Sequence, residues 1–390
     1  TCALPIWNMK TRTLGRCGLM ASEVGLGCEH LQGLPYEQVK SVIDAALAGG
    51  VNIMDVFMSE PEVRSNIGKA LKGRREQVIL QGHIGAAWLN GQYTRTRNIE
   101  HCKTFFEDFM KRLDTDYVDI GMIHFVDTEE DYKGVFESEV IEYAKQLKAE
   151  GKIKAIGMSS HNPGIAERAV KTGIIDVLMF SINPVYDLMP EGVVIDDLTN
   201  METYQQRDWS GIHPDREQLY KTCESMGVGI TVMKSLAAGN LLKAETSPFG
   251  MALTPVQCIQ YVLTRPAVAS ALVGCKTPED VKDALAYETA SDEEKDYTEV
   301  LSHTPKYSLK GKCMYCNHCL PCPSKIDIAQ VNKYLDLALL EDTVPDTVKA
   351  HYDGMATHAS DCIGCGSCEK NCPFSVAVIE RMQKAKEVFG

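Results

Sequence analysis

Between about residue 20 and residue 285, short apolar runs alternate with longer segments in which apolar side chains recur every three or four positions. The runs VGLGC (24–28), VNIMD (51–55), VILQGH (78–83), YVDIGMIH (117–124), IKAIGMSS (153–160), VLMFSIN (177–183), VGITVMK (228–234) and VASALVG (268–274) are short and aliphatic or β-branched. Strands covered on both faces have this character. The segments between them carry a helical stripe, with Val39, Val42, Ile43, Ala46 and Leu47 in one and Ile99, Cys102, Phe105, Phe106, Phe109, Met110 and Leu113 in another. Several of these helices run out at glycine, as at Gly49-Gly50, Gly151 and Gly173, where a left-handed cap favours a residue without Cβ. Eight strand–helix repeats over roughly 260 residues predict an α/β fold closed as a (β/α)8 TIM barrel, since doubly wound sheets more often stop at about five to seven strands.

One connection is too long for the pattern. From Asp187 to Pro214 the chain reads DLMPEGVVIDDLTNMETYQQRDWSGIHP, a polar, turn-rich insert between the sixth strand and its helix. Barrel enzymes place binding loops on that face, although a solvent excursion with no task explains the insert equally simply. From Ser291 an acidic stretch, SDEEKDYTEVLSH, leads to Pro305, where the composition changes. The expected division is a barrel over residues 9–300 and a small second domain over residues 305–390; residues 1–8 carry no interpretable signal.

A formal charge of -13 and the absence of any dense Lys/Arg block argue against a surface built for nucleic acid. No run of about 18 apolar residues exists, and TCALPIWNMKTRTLGR lacks the apolar core of a secretory signal. The expectation is a cytoplasmic protein without a membrane partner. Its fifteen cysteines should then stay reduced, which leaves metal ligation as the main use for closely spaced thiols.

Eight of those cysteines fall in two short runs, CMYCNHCLPCP from Cys313 and CIGCGSCEKNCP from Cys362. Three thiolates at successive three-residue steps crowd one side of a tight loop, which suits the corner of an iron-sulfur cubane. Both runs resemble those of two-cluster bacterial ferredoxins, and the resemblance implies a ferredoxin-like α+β domain with crossed ligation. Cys313, Cys316 and Cys319 with Cys372 would hold one 4Fe-4S cluster, and Cys362, Cys365 and Cys368 with Cys322 the other. The second run matches CxxCxxCxxxCP in full, while the first is one residue shorter before its last cysteine. Gly364 and Gly366 suit close approach of backbone to sulfide. Two four-cysteine zinc knuckles are the alternative, but zinc sites usually separate their CxxC pairs by about a dozen residues or more.

The stretches NIMDVFMSEPEVRSNIGKAL (52–71), DYVDIGMIH (116–124), GMSSH (157–161) and GVGITVMKSLAAGNLL (227–242) resemble an aldo/keto reductase, and the whole chain resembles the branch with a C-terminal ferredoxin-like domain. The resemblance implies reduction of carbonyls with NAD(P)H by an Asp, Tyr, Lys and His set at the strand C-termini. Asp55 matches the aspartate and His124 the histidine. Glu60 stands where the tyrosine belongs and His83 where the lysine belongs. Glu60 is a substitute acid only if burial keeps it protonated, and it is otherwise a helix-start carboxylate. His83 is able to shuttle protons near neutral pH and to couple to His124.

The same resemblance assigns nucleotide contacts to Ser159, with Ser160 at the family asparagine and Met179 at the glutamine. It also assigns Lys234, Ser235, Gly239, Asn240 and Leu241 in one phosphate loop and Gly274, Lys276 and Thr277 in another. Asp280 occupies the position that would clamp a 2'-phosphate, which argues against a preference for NADPH. A nicotinamide delivers two electrons at once and a 4Fe-4S cluster passes one, so working together they need a flavin such as FMN in the phosphate site or a substrate reduced stepwise. No flavin motif is present. The leading expectation is an iron-sulfur oxidoreductase of aldo/keto reductase type that joins a nucleotide- and substrate-binding barrel to two 4Fe-4S clusters, acts on a small organic substrate, and draws on a redox partner such as a ferredoxin. The alternative is an electron-transfer or scaffold module whose barrel has lost carbonyl reduction.

Overall fold

A computed structural model describes residues 9–188, 212–302, 311, 313–340, 343–372 and 374–390. Most of the insert between Asp187 and Pro214, and the domain junction expected near residue 305, lie outside the described residues.

Eight parallel strands close into a barrel: β3 (Val24–Gly27), β4 (Ile53–Val56), β5 (Ile79–Ile84), β8 (Val118–Ile123), β9 (Ile153–Ser160), β10 (Val177–Ser181), β11 (Gly229–Met233) and β12 (Val268–Gly274). Each falls on one of the eight apolar runs, and the closed order is β10-β11-β12-β3-β4-β5-β8-β9. Helices such as Tyr36–Ala48 and Ile99–Arg112 return the chain between strands, and they bury Val39, Val42, Ile43 and Ala46 in the first and Cys102, Phe106, Phe109 and Met110 in the second. The core has two layers accordingly. One lies between strands and helices; the other fills the barrel lumen with Ile53, Ile120, Met122, Ala155, Val177, Met179 and Leu272.

Two hairpins add to the barrel. The first, β1 (Thr11–Thr13) with β2 (Met20–Ser22), closes the end at which the strands begin, and its Leu14 and Ala21 are wholly buried in the lumen layer. Gly15 has φ 54°, and a Cβ there would lie 2.3 Å from the amide nitrogen of Gly229, so only glycine lets the hairpin seat against β11. The second hairpin, β6 (Ala86–Leu89) with β7 (Gln92–Arg95), follows β5 at the opposite end, where the strands finish.

Among the described residues, the regular elements beyond β12 are all helical: Ile328–Ala338, Asp346–Asp353, Ser367–Asn371 and Val378–Phe389 form the second domain, so the β part of the expected α+β character is not seen there. This domain docks on the outer flank of the helices that follow β10 and β11, toward the end where strands begin. Nη2 of Arg265 and the hydroxyl of Tyr297 both donate to the Met314 carbonyl, at 3.1 and 2.6 Å. His351 pairs with Glu224 at 2.8 Å, and Thr347 reaches the Ser225 carbonyl. A polar cleft of about 510 Å³ remains between the domains, with Lys10, Arg12 and Lys295 on one wall and Tyr315 and Lys333 on the other. Among the described residues no helix is long and apolar enough to cross a membrane.

Candidate active site and cysteine cavities

The C-terminal ends of β4, β5 and β8 bring Asp55, His83 and His124 together. Asp55 is 2% exposed, and its Oδ1 accepts from Gln81 Nε2 and faces His83 Nε2, each at 2.8 Å. Gln81 and His83 are two residues apart on β5, so both point into the lumen and grip the same carboxylate oxygen. On its other side His83 meets His124, Nδ1 to Nδ1 at 2.8 Å. Such a contact requires one ring to donate and the other to accept.

His124 does not end the chain of contacts. Its Nε2 lies 2.5 Å from the hydroxyl of Tyr93, which enters from the hairpin β6–β7. Phe57 stacks on the His124 ring at 5.6 Å and stands edge-on to Tyr93 at 6.2 Å, which fixes both rings. Arg97 ties the hairpin to the strand end by donating to the carbonyls of His124 and Phe125. Burial first, and then the neighbouring His83, Arg97 and Arg95, hold the His124 imidazole well below its ordinary pKa, so it is neutral at pH 7. Burial pushes the Tyr93 phenol up to about 12, against the pull of Arg95 and Arg97.

Tyr93 is absent from the residues expected from sequence. Its signal was present in AAWLNGQYTR, where Asn-Gly between two alternating segments marks a two-residue hairpin. Asn90 at φ 53° and Gly91 at φ 76° are the two left-handed positions of that turn.

Glu60 takes the second of its two expected roles. Its carboxylate accepts from the amides of Glu62 and Val63 and caps the helix Pro61–Leu71, and it makes no described bond to Asp55, His83 or His124. A side chain placed one residue before a helix starts is drawn to the free N–H groups there. The position of the family tyrosine is therefore structural in this chain.

The expected nucleotide contacts divide by end. Ser159 Oγ accepts from the Phe125 amide and the Ser160 hydroxyl donates to Asp127, so both are engaged inside the protein. Asp127 also pairs with His161, and although burial opposes ionisation, those bonds keep its carboxyl below the usual range. Met179 lies in the lumen against Gln81. At the phosphate end the picture differs. Lys234, Ala237 and Ala238 all take left-handed φ (61°, 47° and 55°) beside Gly239 in the loop after β11. Non-glycine residues in that region cost roughly 1 to 2 kcal/mol each, and such outliers cluster where backbone is shaped for a ligand. Ser235 and Leu241 are buried beneath that loop. After β12, the amides of Lys276 and Thr277 donate to Asp280, the Lys276 side chain is exposed, and Gly274 lies under the His30 ring. The loop after β11 thus fits a phosphate group, while of the serine hydroxyls expected at the nicotinamide Ser160 donates to Asp127 and Ser159 accepts from the Phe125 amide.

In the second domain the two cysteine runs interleave. One cavity is lined by Cys313, Cys316, Cys319 and Cys372. Another is lined by Cys322, Cys362, Cys365 and Cys368. Each takes three cysteines from one run and one from the other. Among the described residues no group of three or more His, Cys, Asp or Glu is gathered as about a single metal ion; the cysteines are spread around cavity walls lined otherwise by residues such as Ala329, Val376, Ile326 and Met382.

A closed parallel barrel with buried acid–base groups at its strand C-termini, followed by a cysteine-lined helical domain, defines a barrel oxidoreductase with an appended iron-sulfur module. The aldo/keto reductase family model matches residues 23–252, more than half of the chain, and a 4Fe-4S dicluster domain matches residues 312–377. The chain belongs to the aldo/keto reductase family. It is 28% identical over 291 residues to the uncharacterized oxidoreductase YqkF of Bacillus subtilis, covering 71% of this chain and 90% of that one. It is 24% identical over 332 residues to the aldo-keto reductase YhdN of the same organism, covering 76% and 95%. Aldo-keto reductase AKR11C1 from Bacillus halodurans, in its holo form, superposes with a TM-score of 0.59 at 24% identity over 74% of this chain and 94% of that chain, a likeness of fold alone.

Proposed function

We propose that this oxidoreductase reduces a small carbonyl compound in the mouth of the barrel with a nicotinamide nucleotide, and exchanges single electrons through two 4Fe-4S clusters. The observation that carries the iron-sulfur half is the interleaving of the runs, because each cavity draws its fourth cysteine from the other run, as cubanes in two-cluster domains do. Cys313, Cys316, Cys319 and Cys372 would hold one cluster and Cys322, Cys362, Cys365 and Cys368 the second; bound there, the clusters supply one-electron transfer.

The nucleotide would lie with its phosphates on the loop Lys234–Leu241 and near Lys276, and bound there it supplies a hydride. Asp55, His83 and His124 orient the substrate and handle protons. Asp280 caps its own helix and offers no positive charge, in keeping with NADH over NADPH. The second domain lies on the flank of β10 and β11, across the closed sheet from β5 and His83. At least one helix, about 10 Å thick, separates it from the lumen. This arrangement favours exchange between the clusters and an external one-electron carrier over direct contact with the substrate.

Protein purified without oxygen tests the proposal. About eight iron and eight sulfide per chain, visible absorbance that dithionite bleaches, and saturable NADH binding are expected. A colourless zinc protein would overturn the cluster assignment. The donation of the Ser160 hydroxyl to Asp127, away from the nicotinamide, favours a second reading, an electron-transfer module with an inert barrel. It predicts no saturable binding of NADH, NADPH or FMN.

A further inference from the structure

We propose that Tyr93, from the hairpin β6–β7, is the proton donor of this barrel, resupplied through His124 from a proton held between His83 and Asp55. The inference rests on carbonyl reduction as the function.

Four groups form one continuous line: Asp55 Oδ1 to His83 Nε2 at 2.8 Å, His83 Nδ1 to His124 Nδ1 at 2.8 Å, and His124 Nε2 to the Tyr93 hydroxyl at 2.5 Å. The first three are 2%, 1% and 5% exposed, whereas Tyr93 is 40% exposed. The line therefore starts in the closed interior and ends at the mouth, on the one member that a substrate is able to touch. The family tyrosine position is spent on a helix cap, so no other phenol competes for the role at that position.

The line is able to move one proton with a hydrogen bond kept at every contact, and Asp55 keeps N–H donors from Gln81 and His83 throughout. In the loaded state His83 is an imidazolium against the Asp55 carboxylate, and His83 Nδ1–H donates to His124 Nδ1. His124 Nε2–H then donates to the Tyr93 oxygen, which frees the phenolic O–H for the substrate. A bound nicotinamide nucleotide would supply the hydride to the carbonyl carbon; the carbonyl oxygen takes the Tyr93 proton as that O–H bond breaks. Tyr93 recovers a proton from His124 Nε2, and His124 recovers one at Nδ1 from His83. His83 ends neutral with Nε2–H toward Asp55, and the net charge of the line falls by one. The discharged state has one hydrogen on every contact, with the Tyr93 O–H toward His124. A phenol held near pKa 12 would leave its phenolate strongly basic, and immediate resupply from His124 removes that obstacle.

Tyr93→Phe keeps the ring packed against Phe57 and removes only the hydroxyl. In protein without nucleotide or substrate, 15N NMR of the histidine rings should show the His124 Nε2 signal shifting as its hydrogen bond to the Tyr93 hydroxyl is lost. With saturating NADH and a panel of aliphatic and aromatic aldehydes, turnover should fall about 10²- to 10⁴-fold at unchanged NADH affinity. An unmoved His124 signal, or a moved signal with undiminished turnover, overturns the donor role while leaving the function intact. A wild-type protein that binds no nucleotide overturns the function and the donor role together.

Discussion

Arg265 of the barrel donates through Nη2 to the main-chain carbonyl of Met314, the residue that follows the first cysteine of the second domain, at 3.1 Å. The guanidinium is wholly buried, lies over the rings of Tyr261 and Tyr315, and its Nε and Nη1 have no hydrogen-bond partner among the described residues. A fixed cation beside Cys313 favours the more negative, reduced form of a cluster held there. Arg265→Met should lower the potential of that cluster by on the order of 50 mV, since about 59 mV corresponds to a tenfold change for one electron. Potentiometric titration followed by EPR checks this. Equal shifts in both clusters would contradict it.

Cys372 belongs by sequence to the second run and by geometry to the cavity of the first. Cys372→Ser should abolish the same EPR signal as Cys313→Ser, and Cys322→Ser the other one. Iron content in each variant should fall from about eight toward about four atoms per chain. Loss of one signal by both Cys372→Ser and Cys362→Ser would show that each run keeps its own cluster.

His351 and Glu224 bridge the domains at 2.8 Å. The bond to Glu224 raises the His351 pKa, with burial opposing. For Glu224, burial opposes ionisation, but the bonds to His351 and to the Ala267 amide hold its pKa down. A raised histidine stabilises the folded state below its ordinary value of 6.5, and that contribution is lost as pH rises through the raised value. Because the imidazole is 54% exposed, the effect should stay under about 1 kcal/mol. Melting temperatures of the wild type and His351→Gln should therefore differ at pH 6 and converge by pH 9. The Glu224 contribution is lost only as pH falls through its depressed value, below that range.

Glu60→Gln should cost about 0.5 to 1 kcal/mol in urea unfolding, from a weaker cap on the helix Pro61–Leu71, and should leave turnover unchanged. A large loss of turnover at full stability would restore Glu60 as the acid.

Gly91→Val places a β-branched residue at φ 76°, which the turn between β6 and β7 requires. The hairpin should loosen, and the His124 15N signal should shift in the direction seen for Tyr93→Phe, with turnover reduced at least about tenfold. A shift in NADH affinity instead would assign the hairpin to nucleotide binding.

The barrel was legible because buried parallel strands have a composition of their own: every apolar run from Val24 to Gly274 became a strand. Asp55, His83 and His124 were legible because they end their strands at positions that match or replace members of the family's catalytic set. The two cysteine runs were legible from their spacing, and their crossed grouping from the resemblance to two-cluster ferredoxins. Tyr93 was missed and the role of Glu60 was left open between acid and helix cap, because an ungapped alignment carries over positions and not the path of the chain. The proposed donor sits on a hairpin that the count of eight strands did not need. The carboxylate in the tyrosine's place was drawn to unpaired helix amides two and three residues on. Internal bonding of Ser159 and Ser160 was hidden because their partners, Phe125 and Asp127, come from a different strand end.

The helical module leans on the outside of the barrel, on the flank of β10 and β11, while Asp55, His83, His124 and Tyr93 gather where β4, β5 and β8 finish. A carrier arriving at the cysteine-rich surface and an organic molecule arriving at the mouth therefore meet no common obstacle. Steady-state rates should show no competition between the two visitors, as in a relay station loaded at one door and emptied at another.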